Sequence, residues 1–258
     1  MAAEMNSIGI DSNLNRARIK KLLTIGFVAS VLTGVGDFLL GYGVPVAAEG
    51  LFEGILATAP NLSDTQLVVG GLLGFFGIFL EGLSYFGVYR LMADAAPRYA
   101  HVFRSGIFAY IWLAPAACHL NVAVFNIAYK YVWELSPEKA SQMIDVLYPW
   151  FCLPAYALLV VFWVPMIAVQ WKAFSEGKTP YPRTARWFTL FVGMLPCLAV
   201  GYLLGPETAL GGAVGTMFLS FGNAWVFGGL LATLPPEERF AEFRASLGHE
   251  DGCDKRQA

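Results

Sequence analysis

Six runs of about twenty apolar residues recur along this chain, and no other feature constrains its fold as strongly. A helix rising 1.5 Å per residue needs roughly that length to cross the ~30 Å hydrocarbon core of a bilayer, where each backbone N–H and C=O must be paired within the segment. The runs fall at about 22–43, 66–90, 105–128, 148–171, 187–205 and 211–233. With 57% hydrophobic and 14% charged residues and a mean hydropathy of +0.56, the composition lies outside the range of soluble domains. The expected fold is all-α: a polytopic membrane bundle of six transmembrane helices.

Orientation follows from Lys and Arg, which are retained on the cytoplasmic side of a span. Arg16, Arg18, Lys20 and Lys21 precede the first run, and Arg90, Arg98 and Arg104 separate the second from the third. Lys172, Lys178, Arg183 and Arg186 separate the fourth from the fifth, and Arg239, Arg244, Lys255 and Arg256 follow the sixth, which leaves Lys130 and Lys139 for the opposite face. Both termini are therefore expected in the cytoplasm, with the chain a multi-pass protein of the cell membrane. A cleaved signal peptide ending near "VAAE" is rejected, because the first run is longer than a signal core and contains Asp37.

The chain divides into a cytoplasmic segment 1–21, a membrane domain 22–233 and a cytoplasmic amphipathic helix and tail 234–258. In the tail, Phe240, Phe243 and Leu247 share one helical face, which fits either a surface helix leaning on the membrane or a solvated tail. "SDTQ" at 63–66 has the pattern of a capping box, and "SPEK" at 136–139 that of a cap with a first-turn proline ahead of a short outer helix. Leu51, Phe52, Ile55 and Leu56 suggest another short helix at the outer interface. Cys118, Cys152 and Cys197 lie in or beside spans and Cys253 in a reducing compartment, so no disulfide framework is implied.

Four polar residues interrupt the runs: Asp37 in the first, Glu81 in the second, His119 in the third and Asn223 in the sixth. An aspartate at a helix centre costs about 2.5–3.5 kcal/mol on insertion scales, so such groups face a bundle interior or a cavity. Each falls on a stripe of small or polar residues at three- and four-residue steps, among them Ser30, Gly34 and Asp37 in the first run and Gly70, Gly74, Gly77 and Glu81 in the second. Small residues allow close helix approach, which directs the acids inward. Two acids in unlike surroundings separate into a proton donor and a proton acceptor. Asp37 and Glu81 are thus candidate catalytic groups, with His119 to orient or relay a proton. Tyr42, Tyr85, Asn121, Asn126 and Asn223 are candidates for holding a bound polar group.

Several chemistries find no support in the sequence. Of three histidines only His119 lies within a span, too few for a zinc site. A phosphate-binding loop with its lysine is missing, and no basic, aromatic-rich surface suggests nucleic acid. No metal or cofactor is expected; the partners implied are the lipid bilayer and a lipid or other small molecule. Three functions fit: an intramembrane enzyme using acid–base chemistry on a lipid or isoprenoid-like substrate, a proton-coupled carrier of a small solute, or a membrane protein whose polar residues only join helices.

Three segments, "GDFLLGY" at 36–42, "FFGIFLEGLSY" at 75–85 and "GTMFLSFGNAW" at 215–225, resemble elements of the lysoplasmalogenase family of multispan vinyl-ether hydrolases. Glu81 stands where that pattern has a histidine and Asn223 where it has an aspartate, and six runs fall short of that family's eight spans. The resemblance implies hydrolysis of a lipid vinyl ether. The chain also resembles uncharacterised bacterial six-span membrane proteins.

Overall fold

The computed structural model describes residues 13–48 and 50–254, without side-chain placement for Leu51 and 248–254; Lys255 and Arg256 and the Cys253 thiol of the sequence reading lie outside the described residues and side chains. Among the described residues the regular structure is entirely helical. Helix α1 spans Arg16–Gly41, α2 Leu51–Leu56, α3 Asp64–Met92, α4 Pro97–Trp112, α5 Asn121–Leu135, α6 Pro137–Phe151 and α7 Leu153–Ser175. Helices α8 (Leu190–Leu203), α9 (Ala209–Thr216), α10 (Phe218–Ala232) and α11 (Glu237–Asp254) complete the chain.

The helix starts are set by local chemistry that the sequence announces. Asn15 caps α1 by accepting from Arg18 N, and Ser63 caps α3 in a reciprocal box with Gln66, whose Oε1 accepts from Ser63 N at 3.0 Å. Ser136 accepts from Lys139 N, with Pro137 in the first turn of α6, and α2 occupies the segment 51–56 expected to be helical.

Four helical stretches are long and apolar enough to cross a membrane: Arg16–Gly41, Asp64–Met92, Pro97–Leu135 and Pro137–Ser175. They coincide with the first four runs, and large side chains on their flanks, such as Val28 and Phe76, are exposed as a lipid-facing surface requires. The last two stretches have 39 residues each, about 58 Å at 1.5 Å per residue, so their ends project beyond the ~30 Å hydrocarbon core. The fifth run yields only the 14-residue α8, preceded by the 3₁₀ turn Arg183–Trp187 and ended where Gly205 takes φ 86° ahead of Pro206. The sixth is broken between α9 and α10 by a 49° bend. There the Thr216 hydroxyl lies 2.8 Å from Ala213 O and 3.0 Å from Asp37 O, a side-chain intrusion of the kind that kinks helices. Length and composition thus give four spans, or five with the bent pair counted as one.

Contacts fix how the last helices run. Arg16 Nε donates to Pro235 O at 2.6 Å, the Phe227 ring fills the space left by Gly26, Ser220 meets Asp37, and Thr216 meets the carbonyl of Asp37. The α9–α10 pair therefore lies antiparallel to α1 along its whole length. Helix α8 follows the pair in turn, from Trp187 O, which accepts from Trp225 Nε1 at 2.8 Å, to Gly201 beside Gly215.

Helices α1 and α3 are in closest contact. A Cβ on Gly36 would stand 2.7 Å from Gly70 O, so only glycine permits this approach. The main core, containing Tyr85, Phe103, Tyr110, Trp163 and Phe227, lies between α1, α3, α4, α7 and α10. The apolar face of α11 belongs to it as well: Phe240 is fully buried, and Phe243 and Leu247 pack against it. The face carrying Phe240, Phe243 and Leu247, read from the sequence as resting on the membrane or in solvent, is thus covered by the protein's own core.

Candidate functional site

The third run is one helical stretch, but its middle is not α-helical: Leu113–Leu120 is wound as a π-helix between α4 and α5. Pro115 has no N–H to give the helix ladder, and the wider π winding accommodates its ring. This segment carries His119 toward α1 and α3. Its ring occupies the space beside Gly74, where a Cβ would overlap it.

Two polar groups of side chains result. In the outer one, His119 Nδ1 lies 3.5 Å from Asp37 Oδ1, and Ser220 Oγ donates to Asp37 Oδ2. His119 Nε2 lies 3.4 Å from Gly70 O, a long contact. The His119 and Asp37 side chains are 10% and 14% exposed, so this contact is largely but not fully enclosed.

The inner group surrounds Glu81, whose exposure is 0%. Tyr110 OH donates to Glu81 Oε2 at 2.5 Å, and Asn223 Nδ2 donates to the same oxygen at 2.7 Å. Asn223 Nδ2 is also 3.0 Å from Tyr110 OH, and its Oδ1 accepts from Tyr85 OH at 2.6 Å. The amide of Asn223 is thus oriented by one donor and one acceptor. The Tyr110 ring stacks on Trp163 with centroids 5.1 Å apart, and Tyr85 is wedged between Tyr110, Phe103 and Phe227. Rings from four helices hold these hydroxyls in place, so little rotamer entropy is lost when the bonds form.

Glu81 Oε1 is different: it has no hydrogen-bond partner among the described residues. Ser30 and Thr33 of α1 neighbour the carboxyl group. Their hydroxyl hydrogens are committed to carbonyls of their own helix, Ser30 to Gly26 at 2.8 Å and Thr33 to Ala29 at 3.0 Å. The two acids lie within electrostatic reach of each other, Asp37 one to two turns along α1 from Thr33 and Ser30.

Of the residues singled out in the sequence, Asp37, Glu81, His119, Tyr85 and Asn223 meet in these adjoining groups. Tyr42, Asn121 and Asn126 do not. Tyr42 caps the end of α1 and stacks on Phe38, 46% exposed. Asn121 Nδ2 donates to Ala117 O at 3.0 Å and Phe151 O at 3.3 Å, tying the π segment to α6. Asn126 Nδ2 donates to Val122 O of its own helix. Sequence reasoning missed Tyr110 and gave Ser30, Thr33 and Ser220 no role in the site. The hydroxyl residues Ser30 and Ser220 do stand on the small-residue stripes; Tyr110 leaves no trace beyond being a tyrosine away from the ends of an apolar run.

Among the described residues no three His, Cys, Asp or Glu side chains converge as a metal site requires. The arrangement can hold a proton at one carboxyl and accept one at the other, inside a water-poor interior.

No curated protein and no solved structure matches the chain. One protein-family model, described as a family of unknown function, matches residues 5–236 of 258. The match covers all four long stretches and both polar groups, and the chain belongs to that family, DUF6796.

Proposed function

We propose that this protein is a six-span membrane enzyme whose interior carboxyl groups perform acid–base chemistry on a lipid or isoprenoid-like substrate, with both termini in the cytoplasm. The observation that carries the reading is the unlike hydrogen bonding of the two acids. Asp37 Oδ2 accepts from the Ser220 hydroxyl, and its Oδ1 lies 3.5 Å from His119 Nδ1. Glu81 has two donors on Oε2 and none on Oε1 among the described residues, and the Ser30 and Thr33 hydroxyls that neighbour the carboxyl group give their hydrogens to carbonyls of their own helix. Glu81 is the acid, and Asp37, steadied by His119, is the base; a pair of opposite protonation at one pH suits addition of water to a vinyl ether, alkene or epoxide.

For a vinyl ether, Glu81 gives its proton to the alkenyl carbon β to the ether oxygen, and a water that loses a proton to Asp37 adds to the carbon bearing oxygen. The hemiacetal then breaks into an aldehyde and an alcohol, with no net change in redox state. Vinyl ethers are the first class to test because Glu81 and Asn223, which occupy the histidine and aspartate places of the lysoplasmalogenase pattern, are hydrogen-bonded to each other. Support for six spans comes from the α9–α10 pair, which runs antiparallel to α1, and from α8, which follows that pair from Trp225 to Gly215.

The test uses purified protein in vesicles made from a total bacterial lipid extract supplemented with a plasmalogen. Mass spectrometry should find a lipid species consumed by the parent and unchanged with Asp37→Asn or Glu81→Gln. A chain that leaves every lipid unchanged but carries protons inward under an imposed pH gradient, in a manner lost with Glu81→Gln, would overturn the enzymatic reading in favour of a carrier.

A further inference from the structure

Helices α7 and α8 are joined at the end of the bundle where Tyr181 OH donates to Leu230 O. Gln170 Nε2 donates to Phe188 O at 2.8 Å, and the Trp171 and Trp187 rings meet edge to face with centroids 4.8 Å apart. The 3₁₀ turn Arg183–Trp187 is fixed there by the buried Ala185 and by Trp187 O, which accepts from Trp225 Nε1. From this turn the Arg186 guanidinium lies over both indoles, its central carbon 5.6 Å from each ring centroid. Attraction to ring faces satisfies none of the five N–H donors of a guanidinium. Among the described residues Arg186 makes no hydrogen bond and no ion pair, and its Nε is buried without a partner. Beyond the two indoles, Phe191, Leu195 and Leu198 fall on one face of α8 at steps of four and three and are 45%, 65% and 42% exposed.

We propose that Arg186, braced by Trp171 and Trp187, binds an anionic phospholipid, the phosphate accepting from its N–H groups and one acyl chain lying along Phe191, Leu195 and Leu198. Donors and apolar stripe together select the occupant. A soluble phosphate would satisfy the guanidinium and leave the stripe uncovered, whereas a lipid engages both. A planar N–H fork matches a phosphate in shape as well as charge, and tryptophan rings favour the headgroup level of a bilayer. The surrounding charge agrees: residues 172–187 carry Lys172, Lys178, Arg183 and Arg186 against one acid, Glu176, whose carboxylate accepts from Tyr99 OH at 3.1 Å. Under the orientation proposed above the site faces the cytoplasmic leaflet, where basic residues beside a span attract anionic headgroups. It is separate from the interior acids and stands whether or not they are catalytic.

The test counts lipids retained on the full-length protein by native mass spectrometry after mixing with phosphatidylglycerol or phosphatidylcholine of identical chains. The parent should retain phosphatidylglycerol over phosphatidylcholine by roughly fivefold, the attraction expected of one basic side chain at an anionic surface. Arg186→Gln should bring the ratio near one, while Arg183→Gln, an exposed basic position three residues away, should leave it unchanged. Arg186→Lys keeps the charge over the indoles but loses the planar fork, and should retain only part of the preference; it covers the case in which the glutamine variant fails to fold. Equal retention of the two lipids by the parent, an undiminished preference in either Arg186 variant, an equal loss in Arg183→Gln, or displacement of the lipid by inorganic phosphate would each overturn the assignment.

Discussion

Replacing Glu81 by glutamine or by leucine separates the interior network from ordinary packing. Glutamine can keep a carbonyl oxygen where Oε2 accepts from Tyr110 and Asn223, and it puts an NH₂ at the Oε1 position, on a group that the Ser30 and Thr33 hydroxyls neighbour. If Glu81 is a neutral acid, this substitution preserves the pattern of donors and acceptors, and stability should change by less than ~1 kcal/mol. Leucine instead leaves the Tyr110 hydroxyl and one N–H of the Asn223 amide, whose other N–H keeps Tyr110 OH, without an acceptor, in a site where Tyr110 is 2% and Asn223 1% exposed. An orphaned buried donor costs about 1–3 kcal/mol, so two should cost roughly 3 kcal/mol or more. For a chain of this size, 1 kcal/mol moves Tm by about 2–4 °C, so the leucine variant should melt roughly 6–12 °C lower and the glutamine variant within about 4 °C of the parent. Tryptophan fluorescence is a suitable readout during a thermal ramp in detergent, because Trp163 stacks on Tyr110. Equal destabilisation by the two substitutions would refute the reasoning, since it would mean that charge, rather than the count of donors and acceptors, holds the site together.

Other perturbations test neighbouring links. Pro115→Ala restores an N–H to the π segment; α winding should become accessible, turn His119 away from Asp37 and remove activity on the responsive lipid with Tm unchanged or raised. Gly36→Val forces a side chain into the contact with Gly70 O, and overpacking of this kind should cost about 1–3 kcal/mol, read as a lower Tm in both detergent and vesicles. For topology, Lys139→Cys should react with a membrane-impermeant thiol reagent applied to intact cells, and Lys178→Cys only after lysis; the reverse pattern would invert the orientation.

The residues explain why the sequence revealed some features and concealed others. The four long stretches are written in continuous apolar runs, and the caps at Ser63 and Ser136 in short motifs that act locally. Inward direction of Asp37, Glu81 and Asn223 was readable because each shares a stripe with small residues, and stripes survive any reasonable packing of helices. The π winding at 113–120 was not readable, as Pro115 permits a kink, a break or a π turn, and neighbouring helices decide among them. The break at Met217 depends on where the Thr216 hydroxyl finds a second carbonyl, that of Asp37, far away in sequence. Asn121 and Asn126 looked like site residues by type and span, yet a buried amide that can reach its own helix carbonyl does so, and both side chains are engaged in that way. In α11, amphipathicity alone could not distinguish a lipid surface from a protein surface; the buried Phe240 resolves the choice.

Infrared spectroscopy of the purified protein at neutral pH tests the pairing of a protonated and an ionised acid most directly. The account predicts the carbonyl stretch of a neutral carboxylic acid in the parent, lost on Glu81→Gln and retained on Asp37→Asn. A parent spectrum with only carboxylate bands, or an acid band that disappears with Asp37→Asn and persists with Glu81→Gln, would contradict it.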